Sequence, residues 1–337
     1  MKILKIIGVI ILILILAVAI AGIFAPKEYN VERSVVIESP VEYAFYYTHY
    51  LSNFSKWEPW GKKDSTMKSW VEGKDGEVGA VYKWEGDPKL TGKGEMKITE
   101  LDKNKRIAYW MKFYEPMEDE AGVYMNFADK DGKTEIVWGF DGKSPFPWNV
   151  MLLFMDMDQM LGTDFEQGLS NLKAQIESNY QKAMKYTIKE EMFKGKMYVA
   201  IKSKVNMQKI ADFFTENFGT VGMIAKKNRA RIMGAPTGLY FSWDEQTMET
   251  EMAAAMPVNK VIKTDEAEMI EIPAGKALVI DYYGPYEQSG NAHWAMDYYF
   301  YLHNLKHKPP VIEEYITDPG KEPDPNKWLT RIIYLVE

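Results

Sequence analysis

The feature that most constrains this chain is an apolar run at residues 6–24, directly after the basic start formed by Lys2 and Lys5. As a helix, a run of about 19 residues reaches ~29 Å, close to the thickness of the hydrocarbon core of a bilayer. The apolar centre of a cleaved signal peptide is shorter, at about 7–15 residues. The run therefore favours an uncleaved membrane anchor at residues 1–26, although residues 21–26 also suit a cleavage site.

The charges beside this run indicate an orientation. Lys2 and Lys5 precede it, whereas Lys27 beyond it is followed at once by Glu28. Because basic residues favour the cytoplasmic side of a span, the N-terminus is expected in the cytoplasm. We therefore expect a single-pass protein of the cell membrane whose remaining domains are extracytoplasmic.

Composition excludes several function classes. The formal net charge is −7, which argues against a nucleic-acid partner because such binding depends on clustered Lys and Arg. The chain has no cysteine, so disulfides and thiolate metal sites are excluded. Its four histidines are scattered, and the pair His303 and His307 lacks the acidic residue of the helical zinc-protease motif. No metal and no cofactor are expected.

Residues 27–183 read as an α+β domain. A first strand and a short helix are followed by several segments in which apolar and polar residues alternate, as in antiparallel strands. From about 147 to 182, apolar residues recur every three or four positions, which predicts one long helix with a single apolar stripe. Strands followed by a long helix favour a sheet that packs on that helix.

Residues 186–337 look internally repeated. Each half reads strand, helix, strand, strand, with helices predicted near 207–218 and 288–305. Two similar halves can pack around a pseudo-twofold axis and leave a pocket between them. The fold class is therefore α+β throughout, with the apolar helix in front.

Short motifs in the first domain carry a family resemblance. They are residues 31–34 (VERS), 39–42 (SPVE), 57–60 (WEPW), 79–84 (GAVYKW), 92–94 (GKG), 134–138 (TEIVW) and 165–173 (FEQGLSNLK). With them, this segment resembles the START/polyketide-cyclase-like (SRPBCC) superfamily. The resemblance implies a helix-grip fold with a hydrophobic cavity between sheet and long helix. It implies no shared reaction, because members of the superfamily bind, carry or convert different molecules.

The second domain carries motifs of another family. They are residues 272–275 (IPAG), 283–287 (YGPYE), 313–319 (EEYITDP) and 328–332 (WLTRI). With them, this segment resembles the gyrase-inhibitor-like effector-binding domains of bacterial transcription activators. The resemblance implies a pocket for small, often cationic or aromatic molecules, with a Glu two residues before a Tyr, here Glu313. Glu314 is also acidic, so either carboxylate could face inward. Transcriptional control is not implied, because an anchor and a helix-grip domain precede this module.

Aromatic residues supply the other candidate site positions. In the first domain they form either an ordinary core or the lining of a cavity: Tyr82, Trp84, Trp110 and Trp138. In the second domain they could line a pocket around Glu313: Tyr240, Trp243, Tyr283, Tyr286, Trp294 and Tyr315. Aromatic rings with a carboxylate hold cations by cation–π and Coulomb attraction together.

These patterns favour a membrane-anchored binding protein that senses or sequesters ligands through two pocket-forming domains. The expected partners are a small amphipathic or cationic molecule, a lipid, and the membrane through residues 6–24. An alternative is a hydrolase of small xenobiotics with Glu313 as general base. A third is a structural protein with filled cores. No pattern indicates an oligomeric state.

Overall fold

The computed structural model describes residues 2–245 and 247–337, with the side chains from residue 5 onward. The chain divides into two compact units: unit 1 ends at Ser178 and unit 2 is Asn179–Glu337. Each unit combines helices with an antiparallel sheet, which confirms the α+β class.

The apolar run forms helix α1, Lys2–Phe24. Its stretch Lys5–Phe24 is long and apolar enough to cross a membrane, by length and composition. Nearly all side chains along it are exposed, from Ile6 at 59% to Phe24 at 83%. An apolar helix that the rest of the protein leaves uncovered is what a membrane span requires.

Unit 1 contains a seven-stranded antiparallel sheet with the strand order β1-β7-β6-β5-β4-β3-β2. The strands are β1 Glu28–Ile37, β2 Lys68–Glu72, β3 Val81–Glu85, β4 Lys93–Asp102, β5 Arg106–Glu115, β6 Asp119–Lys130 and β7 Lys133–Lys143. Helix α2, Val41–Thr48, lies between β1 and β2 in sequence, and helix α3, Met157–Ala183, follows the sheet.

Alternation along the strands builds the core of unit 1. Ile98, Ile107 and Ile136 are fully buried on one face of the sheet, while their sequence neighbours lie on the other. The apolar stripe of α3 supplies the opposite layer with Phe165, Leu169, Leu172 and Ile176, each at most 2% exposed. The burial of this stripe fixes α3 on the sheet.

The long helix begins later than the sequence predicts. Residues 147–156 do not belong to α3; a separate 3-10 helix, Trp148–Leu153, stands there, and its Leu153 is exposed. The reason is local: the Asp156 carboxylate accepts a hydrogen bond from the Gln159 backbone N–H at 3.0 Å and so caps the start of α3.

Unit 2 contains an eight-stranded antiparallel sheet with the order β12-β9-β11-β10-β14-β15-β13-β8. The strands are β8 Lys189–Phe193, β9 Lys196–Asn206, β10 Thr237–Tyr240, β11 Glu249–Val258, β12 Glu268–Ile272, β13 Gly275–Tyr283, β14 His307–Tyr315 and β15 Leu329–Val336. The helices are α4 Ile210–Lys227 and α5 Gly290–Leu302.

The internal repeat is visible in this order. β9-α4-β10-β11 and β13-α5-β14-β15 are the two predicted halves, and each half also receives an edge strand: β12 pairs with β9, and β8 with β13. The halves join where β10 pairs with β14. One face of the sheet buries an aliphatic core that includes Leu239 and Ile312. The opposite face carries α4, packed on Met252 and Ala254. A site at the centre of the sheet therefore lies at the seam between the halves.

Candidate ligand-binding cleft

A cleft of about 1450 Å³ opens over the junction of β10 and β14 in unit 2. Its lining comes from the sheet, from α4 and α5, and from the loops that follow β10 and β14. Small-molecule pockets usually occupy about 300–1,000 Å³, so this cleft is larger than a drug-sized ligand requires.

Glu313 lies at the base of the cleft and is only 6% exposed. Its strand is paired on both sides, with Gly238 of β10 and Ile332 of β15 directly opposite. A Cβ atom added at Gly238 would lie 2.8 Å from the Phe214 ring and 3.0 Å from the Tyr315 hydroxyl. The glycine therefore leaves space for an aromatic residue to reach the carboxylate.

Three side chains donate to the Glu313 carboxylate. His293 Nε2 is 2.7 Å from Oε1, and the Tyr315 hydroxyl donates to Oε2 at 2.7 Å. The Tyr240 hydroxyl is a longer donor to Oε2, at 3.4 Å, and lies 3.3 Å from the Tyr315 hydroxyl. A buried carboxylate needs such partners, since an unpaired charge is costly to bury.

The charge state of Glu313 follows from these contacts. Burial alone would raise its pKa, but the hydrogen bond and charge of His293, with the bonds from Tyr315 and Tyr240, outweigh burial and lower that pKa below its ordinary value. The carboxylate is therefore ionised at neutral pH.

His293 is the cationic partner. Burial acts to lower its pKa, but the hydrogen bond and charge of Glu313, together with the charge of Asp297, raise that pKa above its ordinary value. The other ring nitrogen, Nδ1, lies 2.9 Å from the Tyr334 hydroxyl, which suits either charge state of the ring. His293 and Glu313 thus form an ion pair while His293 is protonated. The pair loses its positive charge when the pH rises through the raised pKa of His293.

Asp297 adds a second acidic group to the wall. It lies one helical turn after His293 on α5 and also lines the cleft. Its side chain is accessible from the cleft, yet burial among the neighbouring protein atoms raises its pKa to about 6, while the charge of His293 acts to lower that pKa and the charge of Glu245 to raise it. Asp297 therefore changes charge just below neutral pH.

Aromatic rings cover much of the remaining wall. The ring of Tyr286 lies 5.1 Å from that of Tyr315 and 5.0 Å from that of Trp328, between centroids. Trp243 is 56% exposed, and its ring centroid lies 6.2 Å from that of Tyr240. Such rings present electron-rich faces to a bound molecule.

Most residues proposed from the sequence for this domain do meet in the cleft. Its lining includes Glu313, Tyr240, Trp243, Tyr286, Trp294 and Tyr315. Tyr283 is the exception. It is 62% exposed and outside the lining, because alternation along β13 buries Tyr282 instead, whose hydroxyl donates to the Pro285 carbonyl at 2.8 Å.

Sequence reasoning missed His293, Asp297 and Tyr334. The available signal was the spacing on the predicted second helix, where His293 and Asp297 are four residues apart and share a face with the neighbouring Trp294. Tyr334 gave no separate signal, since it lies within an apolar closing strand.

Glu314 points away from the cleft. Its carboxylate is paired with the Lys196 ammonium and lies 3.7 Å from the Arg331 guanidinium on the other face of the sheet. Successive residues of a strand face opposite sides, so only one of the two glutamates can enter the cleft. That residue is Glu313.

In unit 1 three of the four proposed aromatic residues, Tyr82, Trp84 and Trp138, belong to a cluster of buried rings on the face of the sheet that α3 covers. Trp138 stacks on Phe165 with centroids 4.1 Å apart and planes 4° from parallel. Tyr82 and Trp84 are also buried, with ring centroids 6.3 Å apart. This arrangement matches the core interpretation of these residues rather than an open cavity lining.

Trp110 lies on the other face of that sheet. It is half-buried, and its indole N–H donates to Glu120 at 3.1 Å. Its neighbours Tyr109 and Met111 are the buried ones. Because the inward positions of β5 are the odd ones, Trp110 cannot line a cavity between sheet and α3.

Within residues 2–245 and 247–337, no cluster of three or more His, Asp or Glu side chains is arranged to hold a metal ion. The cleft combines the buried His293–Glu313 ion pair with further carboxyl groups, among them Asp297 and Glu245, and with several aromatic rings. This arrangement suits recognition of an organic cation by charge and by ring faces.

Comparison with solved structures gives distant likenesses, among them three that each cover less than half of this chain. The C-terminal domain of EcmrR is 17% identical, with 45% of this chain and 98% of that domain covered and a TM-score of 0.42. The Aha1 dimer from Colwellia psychrerythraea is 16% identical, with 44% and 96% covered and a TM-score of 0.32. A hydrolase from Listeria innocua is 12% identical, with 45% and 92% covered and a TM-score of 0.32. No curated protein sequence is significantly similar to this chain.

Comparison with protein families gives two matches. Residues 29–177 match the family described as polyketide cyclase / dehydrase and lipid transport, and residues 184–337 match the GyrI-like small molecule binding domain. Both resemblances drawn from the sequence motifs are confirmed by these matches. Behind an apolar N-terminal helix, the chain therefore has one segment that matches the polyketide cyclase / dehydrase and lipid transport family and a second that matches the GyrI-like small molecule binding domain.

Proposed function

We propose that this chain is a membrane-anchored binding protein whose unit 2 cleft takes a small amphipathic cation. The observation that carries the proposal is the ionised, buried carboxylate of Glu313 at the base of a cleft with aromatic walls. A cation there gains Coulomb attraction at reduced dielectric and contact with ring faces. The apolar remainder of an amphipathic ligand is covered by the aromatic side chains.

The His293–Glu313 pair sets the condition for binding. While His293 is protonated, it already neutralises Glu313, so an incoming cation competes with it. Loss of the His293 proton leaves one net negative charge at the base of the cleft. The ligand ammonium then replaces the imidazolium as the partner of Glu313, and Tyr315 and Tyr240 keep their hydrogen bonds to the carboxylate.

Unit 1 is proposed to handle a hydrophobic molecule such as a lipid. The support is its match to a family that includes lipid transport. The packed rings around Trp138 mean that an internal ligand would have to displace side chains such as Phe165. Sequestration or sensing by two ligand-binding domains is the role that this combination supports.

Anchoring through α1 is supported by how the end of the helix is held. Asn149 is fully buried, and its side-chain amide donates to the carbonyls of Gly22 at 2.7 Å and Ala25 at 3.1 Å. Ala25 is itself buried at 5% exposure. A retained anchor is expected to be built into the domain in this way, whereas a removable leader is not.

The hydrolase alternative receives less support. A general base works best when its pKa lies near the operating pH, and Glu313 has a pKa below its ordinary value. Its two carboxylate oxygens are also occupied by three donors. These contacts favour a binding carboxylate over a proton acceptor.

The proposal is tested with the full chain in nanodiscs of zwitterionic lipid. Benzyltrimethylammonium is titrated by calorimetry, in parallel with the net-neutral N-oxide of dimethylbenzylamine, which has a similar shape. Saturable binding of the ammonium that is at least about tenfold tighter than that of the N-oxide is expected, since Coulomb attraction to one carboxylate at reduced dielectric is worth ~1.4 kcal/mol or more. Equal affinities, or binding of neither compound, would contradict a cation site.

A further inference from the structure

A group of large apolar side chains is exposed just before α3. Between Pro145 and Met155 the sequence contains no charged residue. The exposed members, which we term the apolar rim, are Phe146 at 50%, Trp148 at 67%, Met151 at 50%, Leu153 at 50% and Phe154 at 84%. A group of large apolar side chains that are exposed side by side marks a surface that contacts another protein, a ligand or a membrane.

The apolar rim is attached to the C-terminal end of α1. Asn149, in the middle of the rim, bonds to the carbonyls of Gly22 and Ala25. The Phe146 ring packs against Gly22 so closely that a Cβ atom there would lie 2.9 Å from it. The rim therefore keeps a fixed position beside the last turn of the apolar helix.

That position sets the depth of the rim in a bilayer. Lys5–Phe24 spans ~30 Å as a helix, which matches the hydrocarbon core, so Phe24 lies at one boundary of the core. Side chains bonded to the backbone at Gly22 and Ala25 must then lie at that same boundary. Trp is enriched at this level, and Trp, Phe and Leu are the side chains that interfacial segments bury there.

We propose that the apolar rim is a second membrane contact, which lies in the interface of the bilayer that α1 crosses and inserts its rings among the lipid chains. This inference rests on the proposed anchoring by α1. The contact of the apolar rim with the bilayer holds one end of the unit 1 sheet, the end that carries Glu28 and Lys143, next to the membrane. It thereby prevents unit 1 from rotating freely about its anchor.

The test uses the absence of cysteine from the chain. Single variants Trp148→Cys and Phe154→Cys carry a nitroxide label, in full chain reconstituted at one chain per nanodisc. Leu14→Cys reports on the middle of α1. Val78→Cys is the matched control, since Val78 is 60% exposed but lies in the β2–β3 connection at the opposite end of the sheet.

Collision rates with dissolved oxygen and with a water-soluble nickel chelate are then compared. We expect the labels at positions 148 and 154, like that at 14, to collide several-fold more with oxygen and several-fold less with nickel than the label at 78. Two rim positions keep the test informative if one label perturbs the local fold.

Two results would overturn the inference in distinguishable ways. If the label at 14 is in lipid while those at 148 and 154 meet nickel freely, the anchor stands and the second contact does not. If the rim labels are shielded only in vesicles that hold several chains, the rim is covered by a second copy of the chain. A label at 14 that meets nickel freely would remove the anchor itself, and with it this inference.

Discussion

Glu313 and Glu314 are adjacent in β14, yet their carboxylates lie on opposite faces of the sheet and have different partners. Glu313 meets His293 and two tyrosine hydroxyls in the cleft. Glu314 meets Lys196 and Arg331 on the other face. One glutamate is thus available to a ligand and the other is part of a structural charge network, which gives a matched pair of positions for mutation.

The first prediction concerns the stability of unit 2. Glu314→Gln removes the charge between Lys196 and Arg331 at a nearly buried position, so we expect the free energy of unfolding to fall by about 1–3 kcal/mol. Denaturant unfolding followed by tryptophan fluorescence measures it. Glu249→Gln is the control, because its pair with Lys204 is largely exposed and should contribute under about 1 kcal/mol. Similar losses in both variants would be inconsistent with a structural role of Glu314.

The second prediction is a pH dependence of cation affinity. His293 has a raised pKa because of Glu313, and the protonated ring competes with the ligand. Affinity for benzyltrimethylammonium should therefore increase as the pH rises through the pKa of His293, and ionisation of Asp297 near pH 6 adds to this trend. Calorimetry in two buffers with different ionisation enthalpies should show proton release on binding.

The other titratable groups near His293 do not reverse the predicted increase of affinity with pH. Tyr334, Tyr240 and Tyr315 have pKa values raised well above the ordinary value by burial and by the Glu313 charge, so they stay protonated. The pKa of His307 is lowered by burial, so protonation of that ring requires a lower pH than an ordinary histidine does. His293→Asn should weaken the pH dependence and leave only the part that comes from Asp297. An affinity that falls with rising pH in the unaltered protein would refute the proposed competition.

The third prediction concerns the aromatic wall. Trp243→Ala removes an exposed ring beside Tyr240, and the loss of a cation–π contact of about 0.5–1 kcal/mol should weaken ammonium binding roughly two- to fivefold. Tyr283→Ala is the control, since Tyr283 is similarly exposed, at 62% against 56% for Trp243, but lies outside the cleft. Calorimetric titration of both variants with benzyltrimethylammonium measures the difference. Weaker binding in Tyr283→Ala alone would place the ligand outside the cleft.

The fourth prediction addresses the ring cluster of unit 1. Phe165→Ala leaves a void beside Trp138 and should lower the free energy of unfolding by about 3–5 kcal/mol. Trp110→Ala, on the outer face of the sheet, should cost far less. The stability of the two variants is compared by thermal and denaturant unfolding. Binding of benzyltrimethylammonium in the cleft checks that unit 2 is intact in both. If Phe165→Ala were as stable as the unaltered protein, the cluster would be an adaptable cavity instead of a core.

The sequence was most informative where periodicity reports burial. Alternation predicted the antiparallel strands of unit 1, such as β5, which buries Ile107, Tyr109 and Met111 on one face, and the duplicated order of strands and helices predicted the two halves of unit 2. The start of α3 was predicted too early, because apolar spacing continues through the 3-10 helix and only the Asp156 cap interrupts it.

The site was predicted only in part, because its groups come from a strand and a helix that are separate in sequence. The Glu-x-Tyr spacing of Glu313 and Tyr315 lies in one strand and was readable. His293 lies on a helix twenty residues earlier, and only the packing of α5 over β14 brings its ring to the carboxylate. The direction of Glu314 could not be read, since both faces of the sheet are covered and alternation alone does not say which face holds the cleft.

The most direct test of the central claim is ammonium titration of Glu313→Gln and Glu314→Gln, in the full chain and at a pH above the pKa of His293. Glu313→Gln keeps the shape of the side chain but removes its charge, so we predict a loss of affinity of at least about tenfold, equivalent to ~1.4 kcal/mol. Glu314→Gln should bind as the unaltered protein does. Unchanged affinity in Glu313→Gln, or an equal loss in both variants, would contradict the assignment of Glu313 as the ligand-binding carboxylate.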